Sequence, residues 1–441
     1  MTTATIPRTR FALVGTGGRS TMYSHALLGT YRDRHDLVAL CDANPGRMAF
    51  YNREFAAKFQ VAPLPCYGPA EFERMISEHR VQSVIVTTTD RTHHEFIIRA
   101  MEAGCDVIVE KPLTIDVEKC RAIHEVTRRT GRKLRATFNV RYTPVACRIK
   151  ELLAEHVVGE VFSVHFEWLL DTRHGADYFR RWHRDMRNSG GLMVHKASHH
   201  FDFINWLLDS RPETVFGFGD LRFYGRANAE TRGDFRPYLS ATGDPAAVGD
   251  PYALQLTGRD KEMYHDAAVH DGYRRDQNVF GDGISIPDDM AVIARYRNRA
   301  TLTYHLTAYS PWEGWRCMIN GSKGRLEVVN EERAFVVGAA DSRLDRFGSA
   351  MPHQAGAMRH ILVRPLWEKP YEIPMPTAEG DHGGGDVRML EDIFVGGGED
   401  PLGRAADHRD GTYAIMMGIA ANHSFATGQV VRVDELFAGA F

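Results

Sequence analysis

Features that mark membrane, secreted or nucleic-acid-binding proteins are scarce in this chain. No apolar run reaches the roughly 18 residues that a membrane span needs. The residues before Phe11 lack the apolar core and small-residue cleavage site of a signal peptide. The 54 Lys and Arg nearly balance the 57 Asp and Glu, and the formal net charge of -3 favours neither nucleic acid nor an anionic membrane as a partner. We therefore expect a cytoplasmic protein with a small-molecule substrate.

Cysteine is scarce as well, with six residues scattered along the chain and no CxxC pair. This spacing argues against a disulfide framework or a structural zinc site and is typical of reduced thiols. The sequence also lacks internal repeats and low-complexity tracts. Hydrophobic cores must therefore stabilise all 441 residues, a length that predicts two domains.

The first third of the chain alternates short apolar strands with helices. One helix is expected to begin at Pro45, and another to cover about 116–130. The strands are expected at 11–14, 37–41, 83–86, 106–109 and 133–137. The alternation predicts an α/β fold with a doubly wound parallel sheet, a Rossmann domain, which we place at residues 1–140.

The remaining residues, 141–441, are less regular and are assigned to a second domain for substrate binding and oligomerisation. A helix is expected from Pro144 and another over 406–427. Strands are expected at 161–168, 214–219, 291–296, 300–306, 317–320 and 325–329. Residues 220–285 are rich in Gly, Asp, Arg and Tyr and indicate a loop-rich insertion, either a lid or an oligomer contact.

A glycine-rich loop lies between the first strand and the first helix, where backbone N–H groups can meet a pyrophosphate. Asp42 ends the second strand, where an acid can bind ribose hydroxyls and repel a 2′-phosphate, which favours NAD over NADP. Arg47 lies close to Asp42 in the sequence and weakens the preference for NAD over NADP. The alternative is a glycine turn without a ligand. The candidate cofactor-binding residues of the loop are Gly15, Gly17, Gly18, Arg19 and Ser20.

The tripeptide Glu110-Lys111-Pro112 ends the strand predicted at 106–109. Ligands of open α/β sheets bind at the carboxyl ends of the strands, so Lys111 is expected to project toward the nicotinamide. We include Glu110 and Lys111 among the cofactor-binding candidates. The alternative is a surface lysine before a proline that starts a helix.

Residues 189–202, SGGLMVHKASHHFD, concentrate groups that handle protons. If the segment is helical from about residue 193, His195, His199 and Asp202 share one face. The spacing of the two histidines also matches a zinc-binding helix, but Lys196 stands where the glutamate of that motif belongs and no third ligand is evident, so no metal is predicted. For His200 we favour a packing role, and for Asp202 packing and function stay open.

With these motifs the chain resembles the Gfo/Idh/MocA family of NAD(P)-dependent oxidoreductases. The resemblance rests on FALVGTGGRS at 11–20, the acid after the second strand, VIVEKPLT at 107–114, FNVRYTP at 138–144, GEVFSV at 159–164, the stretch 190–202 and INGSKGRLEV at 319–328. It implies an N-terminal Rossmann domain and a C-terminal α/β domain with an open, mostly antiparallel sheet. It also implies a sugar or polyol bound between the domains and a homodimer or homotetramer.

The resemblance also implies roles for single residues. Lys111 matches the lysine that hydrogen-bonds the reacting hydroxyl, and His199 matches the histidine that acts as acid and base. The family often has Asp four residues earlier, where this chain has His195. Hydride leaves a carbinol carbon only as the hydroxyl proton leaves, so a base must reach that oxygen. Lys111, His199 and His195 are therefore the catalytic candidates, and which histidine takes the proton stays open.

The substrate-binding candidates surround this segment. Cations at 171–174 and 180–184 and at Lys196 indicate an anionic substituent such as carboxylate, phosphate or sulfonate, or else a solvated arginine face or an oligomer interface. Trp168, Tyr178 and Trp182 suit stacking on a pyranose ring or core packing. The candidates that we select are Lys196, Arg141, Tyr142, Arg173, His174 and Trp182.

The sequence thus predicts an NAD-dependent oxidoreductase that oxidises a ring hydroxyl of a sugar or glycoside, with an anionic substituent on the substrate as one possibility. The alternative is an NAD-dependent glycosidase that works by transient oxidation, elimination, water addition and re-reduction, for example on sulfonated or uronic glycosides. A cofactor-binding regulator without turnover is disfavoured because Lys111 and His199 are both present.

Overall fold

A computed structural model describes residues 8–336, 357–376 and 381–438. Two sheets, each with a core of its own, organise these residues. Within the described ranges, none of the helices has the length and apolar character that crossing a bilayer requires.

The first sheet has six parallel strands in the order β3-β2-β1-β4-β5-β6. Its strands are β1 Thr9–Val14, β2 His35–Cys41, β3 Cys66–Tyr67, β4 Ser83–Val86, β5 Asp106–Glu110 and β6 Leu134–Thr137. Helices α1 Ser20–Leu28, α2 Pro45–Phe59, α3 Phe72–His79, α4 His93–Glu102 and α5 Val117–Thr130 cover its faces. This confirms the predicted doubly wound parallel sheet. Strand β3 is only two residues long and was not among the predicted strands.

The central strands are apolar because both faces of the sheet are covered. All four residues of β4 are buried, and so are the last four of β1. Continuous apolar strands of this kind are typical of parallel sheets between two helical layers. Asn44 caps α2 by accepting from the Arg47 N–H, and Pro45 follows at the first helical position.

The second sheet has nine strands in the order β14-β13-β12-β11-β7-β10-β9-β8-β15. Neighbours pair antiparallel except β7 and β10, which are parallel, so the predicted open, mostly antiparallel sheet is confirmed. The strands are β7 Val161–Asp171, β8 Pro212–Asp220, β9 Asp289–Tyr296, β10 Thr301–Ser310, β11 Glu313–Gly321, β12 Gly324–Arg333, β13 Arg359–Pro365, β14 Tyr371–Ile373 and β15 Val431–Arg432.

Helices of the second domain pack on one face of this sheet and against the first domain. They are α6 Pro144–Ala154, α7 Thr172–Arg180, α8 Met186–Ser189, α9 Leu192–His195, α10 Ala197–Leu208, α11 Arg226–Arg232, α12 Gly258–Asp260, α13 Gly385–Phe394, α14 His408–Thr427 and α15 Val433–Leu436. Phe394 of α13 joins the Rossmann core, with its ring centroid 5.5 Å from that of Phe11. The backbone N–H of Ala136 donates to Ala406 O before α14. These contacts place α9 and α10 opposite the carboxyl ends of β4 and β5.

Candidate active site

The glycine loop has the shape that a dinucleotide requires. Gly15 has φ +91°, and a Cβ there would lie 2.7 Å from backbone atoms of Thr87, so only glycine fits. A Cβ at Gly17 would meet nothing within 4 Å, which leaves open space in front of the loop. The Ser20 hydroxyl donates to Gly17 O at 2.7 Å and fixes the turn into α1. A pyrophosphate therefore has both room and backbone donors here.

Asp42 closes the adenosine side of this loop. Its Oδ2 accepts from the backbone N–H of Thr16 at 2.5 Å and from the Thr16 hydroxyl at 2.9 Å. Its Oδ1 accepts from the Asn44 N–H at 2.7 Å, and an Arg47 guanidinium nitrogen lies 3.4 Å away. The same guanidinium binds Asp271 at 2.6 Å. The loop and this carboxylate together fit an NAD molecule, whose ribose hydroxyls Asp42 would bind.

A buried ionic network ties the loop to the end of β5. Glu110 Oε1 accepts from Arg19 Nε at 2.6 Å and from the Tyr23 hydroxyl at 2.7 Å. The Arg19 guanidinium also binds Asp386 at 3.2 Å, and the Asn139 amide donates to that carboxylate at 2.7 Å. Glu110 and Arg19 thus orient the loop and the β5 terminus where cofactor and substrate meet.

Lys111 contacts a histidine of α9 across the cleft. Its Nζ lies 3.4 Å from Nε2 of His195 and donates to the His195 carbonyl oxygen at 3.2 Å. On the other side of the ring, Nδ1 of His195 lies 2.5 Å from Oδ2 of Asp90, and both side chains are buried. We assign Nδ1–H to the bond with Asp90, which leaves Nε2 as the acceptor that faces Lys111. The three side chains form a proton-handling line from β5 to the loop after β4.

Burial shifts the ionisation of all three groups. It lowers the pKa of Lys111 to about 8, against the opposing charges of Asp90 and Glu110. Burial, followed by the positive charge of Lys111, holds the pKa of His195 well below its usual range. Burial also raises the pKa of Asp90. The imidazole is therefore neutral at physiological pH and can accept a proton, while the ammonium of Lys111 loses its proton unusually easily.

The histidine segment is helical as predicted, but it is broken at Lys196. The carbonyl oxygen of His195 accepts from Lys111 Nζ at 3.2 Å and from the Ser198 hydroxyl at 3.0 Å. The His199 N–H bonds to Lys196 O instead, at 3.3 Å. Because Lys196 keeps helical backbone angles, φ -85° and ψ -49°, only the hydrogen-bond pattern changes there, and the shared face of His195, His199 and Asp202 stays a prediction.

The side chains after the break face different surroundings. The ring centroid of His199 lies 6.1 Å from that of Phe138. His200 stacks on Trp168 at 4.3 Å, and its Nδ1 lies 2.6 Å from the Tyr304 hydroxyl. Asp202 is buried and paired with Arg141. The structure thus brings His195 against Lys111.

Two of the substrate candidates lie in buried polar pairs. Arg141 binds Asp202 through two hydrogen bonds, Nε to Oδ2 at 2.8 Å and a terminal nitrogen to Oδ1 at 2.6 Å, with both side chains at most 4% exposed. The Tyr142 hydroxyl donates to Asp392 at 2.7 Å. These contacts indicate that both residues position the connection between the domains.

Other substrate candidates do line the space beside His195. Lys196 Nζ lies 4.8 Å from the centroid of the Trp168 ring. Nδ1 of His174 lies 2.8 Å from Glu313, and Trp182 lies 5.8 Å from His195, centroid to centroid. Burial lowers the pKa of Lys196. A cation, an imidazole–carboxylate pair and an indole thus border the site, while the half-buried Arg173 lies on the first turn of α7.

The arginines at 180–184 do not form a solvated face. Arg180 is buried and donates to Tyr252 O at 2.5 Å and 3.0 Å. Arg184 donates to Asn278 O at 3.2 Å and to Asp282 O at 2.8 Å. These two cations hold the insertion against the site, so they do not support an anionic substrate. The sequence left substrate binding, a solvated face and an oligomer interface open for these arginines, because a backbone acceptor distant along the chain leaves no local signal.

Two residues of the site, Asp90 and His183, were not among the candidates selected from the sequence. Asp90 follows β4 by four residues, and its place at the carboxyl end of a central strand was the available signal. His183 is 1% exposed, stacks on Trp182 at 3.6 Å, and its ring centroid lies 4.1 Å from that of His195. Burial and the nearby cations hold the pKa of His183 well below its usual range. In the described part of the chain, no three His, Cys, Asp or Glu side chains gather as a metal site would require.

Comparison with known protein families agrees with this architecture. Residues 9–138 match the model described as "Oxidoreductase family, NAD-binding Rossmann fold". Residues 150–433 match the model described as "Oxidoreductase family, C-terminal alpha/beta domain". The two matches cover most of the chain and fall on the two sheets.

Individual relatives extend the comparison. The protein YteT of Bacillus subtilis (strain 168) is 31% identical over 433 residues, 94% of this chain and 95% of its own length. An inositol 2-dehydrogenase of Rhizobium meliloti (strain 1021) is 28% identical over 47% of this chain and 57% of its own length. A 2,7-anhydro-N-acetylneuraminate hydratase of Mediterraneibacter gnavus is 26% identical over 46% of this chain and 50% of its own length.

A solved structure shows the same fold across the whole chain. The WlbA dehydrogenase of Bordetella pertussis, in complex with NADH and UDP-GlcNAcA, superposes with a TM-score of 0.60 at 18% identity, over 97% of this chain and 99% of that one. The chain therefore belongs to the Gfo/Idh/MocA family of oxidoreductases, with an NAD-binding Rossmann domain followed by the family's C-terminal α/β domain.

Proposed function

We propose that this protein oxidises a ring hydroxyl of a sugar or glycoside, with His195 as the proton acceptor. The observation that carries the proposal is the line Lys111–His195–Asp90 at the carboxyl ends of β4 and β5. NAD supplies the hydride acceptor. The side chains of Lys111, His195 and Asp90 supply the proton transfer and the charge stabilisation that the reacting carbon needs.

The hydrogen bonds of His195 indicate which atom accepts the substrate proton. A substrate hydroxyl placed between Lys111 Nζ and His195 Nε2 gives its proton to Nε2 as the carbinol C–H bond breaks. Asp90 holds the ring by Nδ1 and stabilises the imidazolium that forms. The Lys111 ammonium stabilises the negative charge that develops on the oxygen. Near neutral pH His195 is neutral because burial holds its pKa well below its usual range, whereas Lys111, with a pKa of about 8, still keeps its proton.

The substrate class follows from the lining of the cleft. Trp182, which is partly exposed, offers a flat apolar surface next to His195, as sugar rings require. Lys196 adds one cation over the Trp168 ring, which supports an acidic substituent on the sugar. The inositol 2-dehydrogenase among the relatives acts on a cyclic polyol, which supports a ring hydroxyl as the reacting group.

A second candidate is redox-neutral cleavage or hydration of an anhydro sugar or glycoside. His183 favours it, because its Nδ1 is buried and hydrogen-bonds to no described residue while the ring lies beside His195. After oxidation to the ketone, a second base can remove the acidified α-hydrogen, the leaving group departs, water adds and the hydride returns to the same carbon. The anhydro-sugar hydratase among the relatives supports this candidate.

One assay separates the two candidates. The protein is incubated with NAD+ and either free sugars and uronates or their chromogenic glycosides, and NADH absorbance and aglycone release are followed together. NADH that accumulates in step with sugar consumption supports the oxidoreductase. Aglycone release at catalytic NAD+ without net NADH supports the redox-neutral reaction, and absence of both across the panel would contradict the proposed substrate class.

A further inference from the structure

A segment of the second domain lies across the cofactor loop of the first. Residues 258–271, here called the cover segment, comprise α12, a π turn at Lys261–His265 and a 3-10 turn at Asp266–His270. Met263 is fully buried in the Rossmann core together with Tyr51. The cover segment therefore packs as part of the first domain, although the chain connects it to β8 and β9.

The cover segment contacts the amino-terminal end of α1. The backbone N–H of Gly18 donates to the Tyr264 hydroxyl at 2.6 Å. The guanidinium of Arg259 donates to the Thr21 hydroxyl at 2.7 Å. Both side chains stand at the rim of the open space in front of Gly17, where the loop has room for a pyrophosphate.

The cover segment also reaches the adenosine side of the loop. The Asn44 side-chain amide donates to Ala267 O at 2.9 Å. The Arg47 guanidinium, 3.4 Å from Asp42, binds Asp271 at 2.6 Å, and this pair is mostly buried. A Cβ at Gly46 would lie 2.9 Å from the His270 ring, so the two chain segments are in close contact.

We propose that the cover segment is the outer wall of the NAD site and retains the cofactor, with Tyr264 and Arg259 contacting its pyrophosphate. The Tyr264 hydroxyl, which now accepts from Gly18, can turn to donate to a phosphate oxygen. The Arg259 guanidinium supplies a fixed positive charge and a donor fork suited to a diphosphate. Because Met263 anchors the segment, NAD leaves only when the segment lifts, and release is slow. This inference goes beyond the proposed function and depends only on NAD binding.

The rate of NADH release tests the proposal directly. NADH dissociation is followed by stopped-flow fluorescence for Tyr264→Phe and Arg259→Gln, with Tyr252→Phe and Arg222→Gln as matched changes elsewhere on the insertion. We expect each of the first two variants to release NADH at least about tenfold faster, as loss of a hydrogen bond to a charged group predicts, and both controls to stay near the wild-type rate. Unchanged release in both Tyr264→Phe and Arg259→Gln would overturn the proposal.

Hydrogen exchange of the unmodified protein provides the second measurement. Backbone amides of 258–271 are expected to exchange more slowly when NAD+ is bound, since the wall closes on its ligand. If saturating NAD+ protects the glycine loop at 15–20 but leaves 258–271 unchanged, the cover segment is not part of the site. Because this measurement uses the unmodified protein, it does not depend on whether the variants fold.

Discussion

Two buried groups give each ring nitrogen of His195 a fixed role. Asp90 holds Nδ1, and Lys111 faces Nε2. An imidazole held in one tautomer opposite the carboxyl ends of β4 and β5 is ready to accept a proton from a hydroxyl that contacts both it and the ammonium. At the scale of single residues, these two contacts are the reason that we assign the role of proton acceptor to His195.

Replacing the two histidines separately tests that distinction. His195→Asn removes the proton acceptor, and kcat is expected to fall by about a hundredfold or more. His199→Asn is expected to lower kcat less, because Asp90 and Lys111 both contact the His195 ring and give it the role of proton acceptor. Steady-state kinetics on one substrate measures both, and a larger loss in His199→Asn would contradict the assignment.

The role of Asp90 predicts a loss of rate without a loss of binding. Asp90→Asn keeps the size of the side chain but loses the charge that stabilises the imidazolium, so kcat should fall by about 100-fold or more. KM and the Kd for NAD+ should change little, since the role assigned to Asp90 is exerted through His195. A variant with unchanged kcat would remove Asp90 from the mechanism.

The ionisation of Lys111 predicts an alkaline limit to activity. The ammonium assists the reaction, so activity should decline as pH rises through the lowered pKa of about 8 and the ammonium loses its proton. In Lys111→Arg, whose guanidinium stays charged, any residual activity should lose this decline. A wild-type pH–rate profile that stays level to pH values near the ordinary lysine pKa of about 10.4 would contradict this role.

At the scale of elements, His195 contacts Lys111 at the junction between α9 and α10. The His195 carbonyl binds Lys111 Nζ and the Ser198 hydroxyl, so the side chain that ends α9 points into the cleft while α10 continues into the core. Below the break, the Arg141–Asp202 pair fastens α10 to the 3-10 turn that follows β6.

That buried pair predicts a large effect on stability. Arg141→Met leaves Asp202 buried without its main partner, and the free energy of unfolding should fall by about 3–5 kcal/mol. The double variant Arg141→Met/Asp202→Leu should recover much of this loss, because no buried charge remains at the pair. Denaturant unfolding of the single and double variants measures both effects, and a single variant within about 1 kcal/mol of wild type would contradict a structural role.

Local patterns predicted most of the elements but fewer of their contacts. The strand at 83–86 and the helix that begins at Pro45 follow from apolar periodicity and a proline at the first helical position. The break at Lys196 depends on side chains that compete for one carbonyl, and the partner of His195 lies 105 residues away. Periodicity carries no information about such distant partners.

At the scale of the whole molecule, three parts of the chain meet at one cleft. The Rossmann domain supplies Lys111 and Asp90, α9 supplies His195, and the insertion between β8 and β9 covers the cofactor loop. Arg180 and Arg184 fasten that insertion next to the substrate side. A cofactor held in this way is suited to accept a hydride and return it within one turnover, which is consistent with the redox-neutral candidate. The expected dimer or tetramer stays a prediction.

The central claim is that a substrate hydroxyl is oxidised at Lys111 and His195, whether or not the hydride later returns. Single-turnover stopped-flow spectroscopy tests it most directly, with enzyme in excess over substrate and NAD+ bound. The account predicts NADH absorbance that rises in the wild-type protein, permanently or transiently, and is absent in Lys111→Ala even though that variant still binds NAD+. Substrate turnover without any NADH signal, or an unchanged signal in Lys111→Ala, would contradict it.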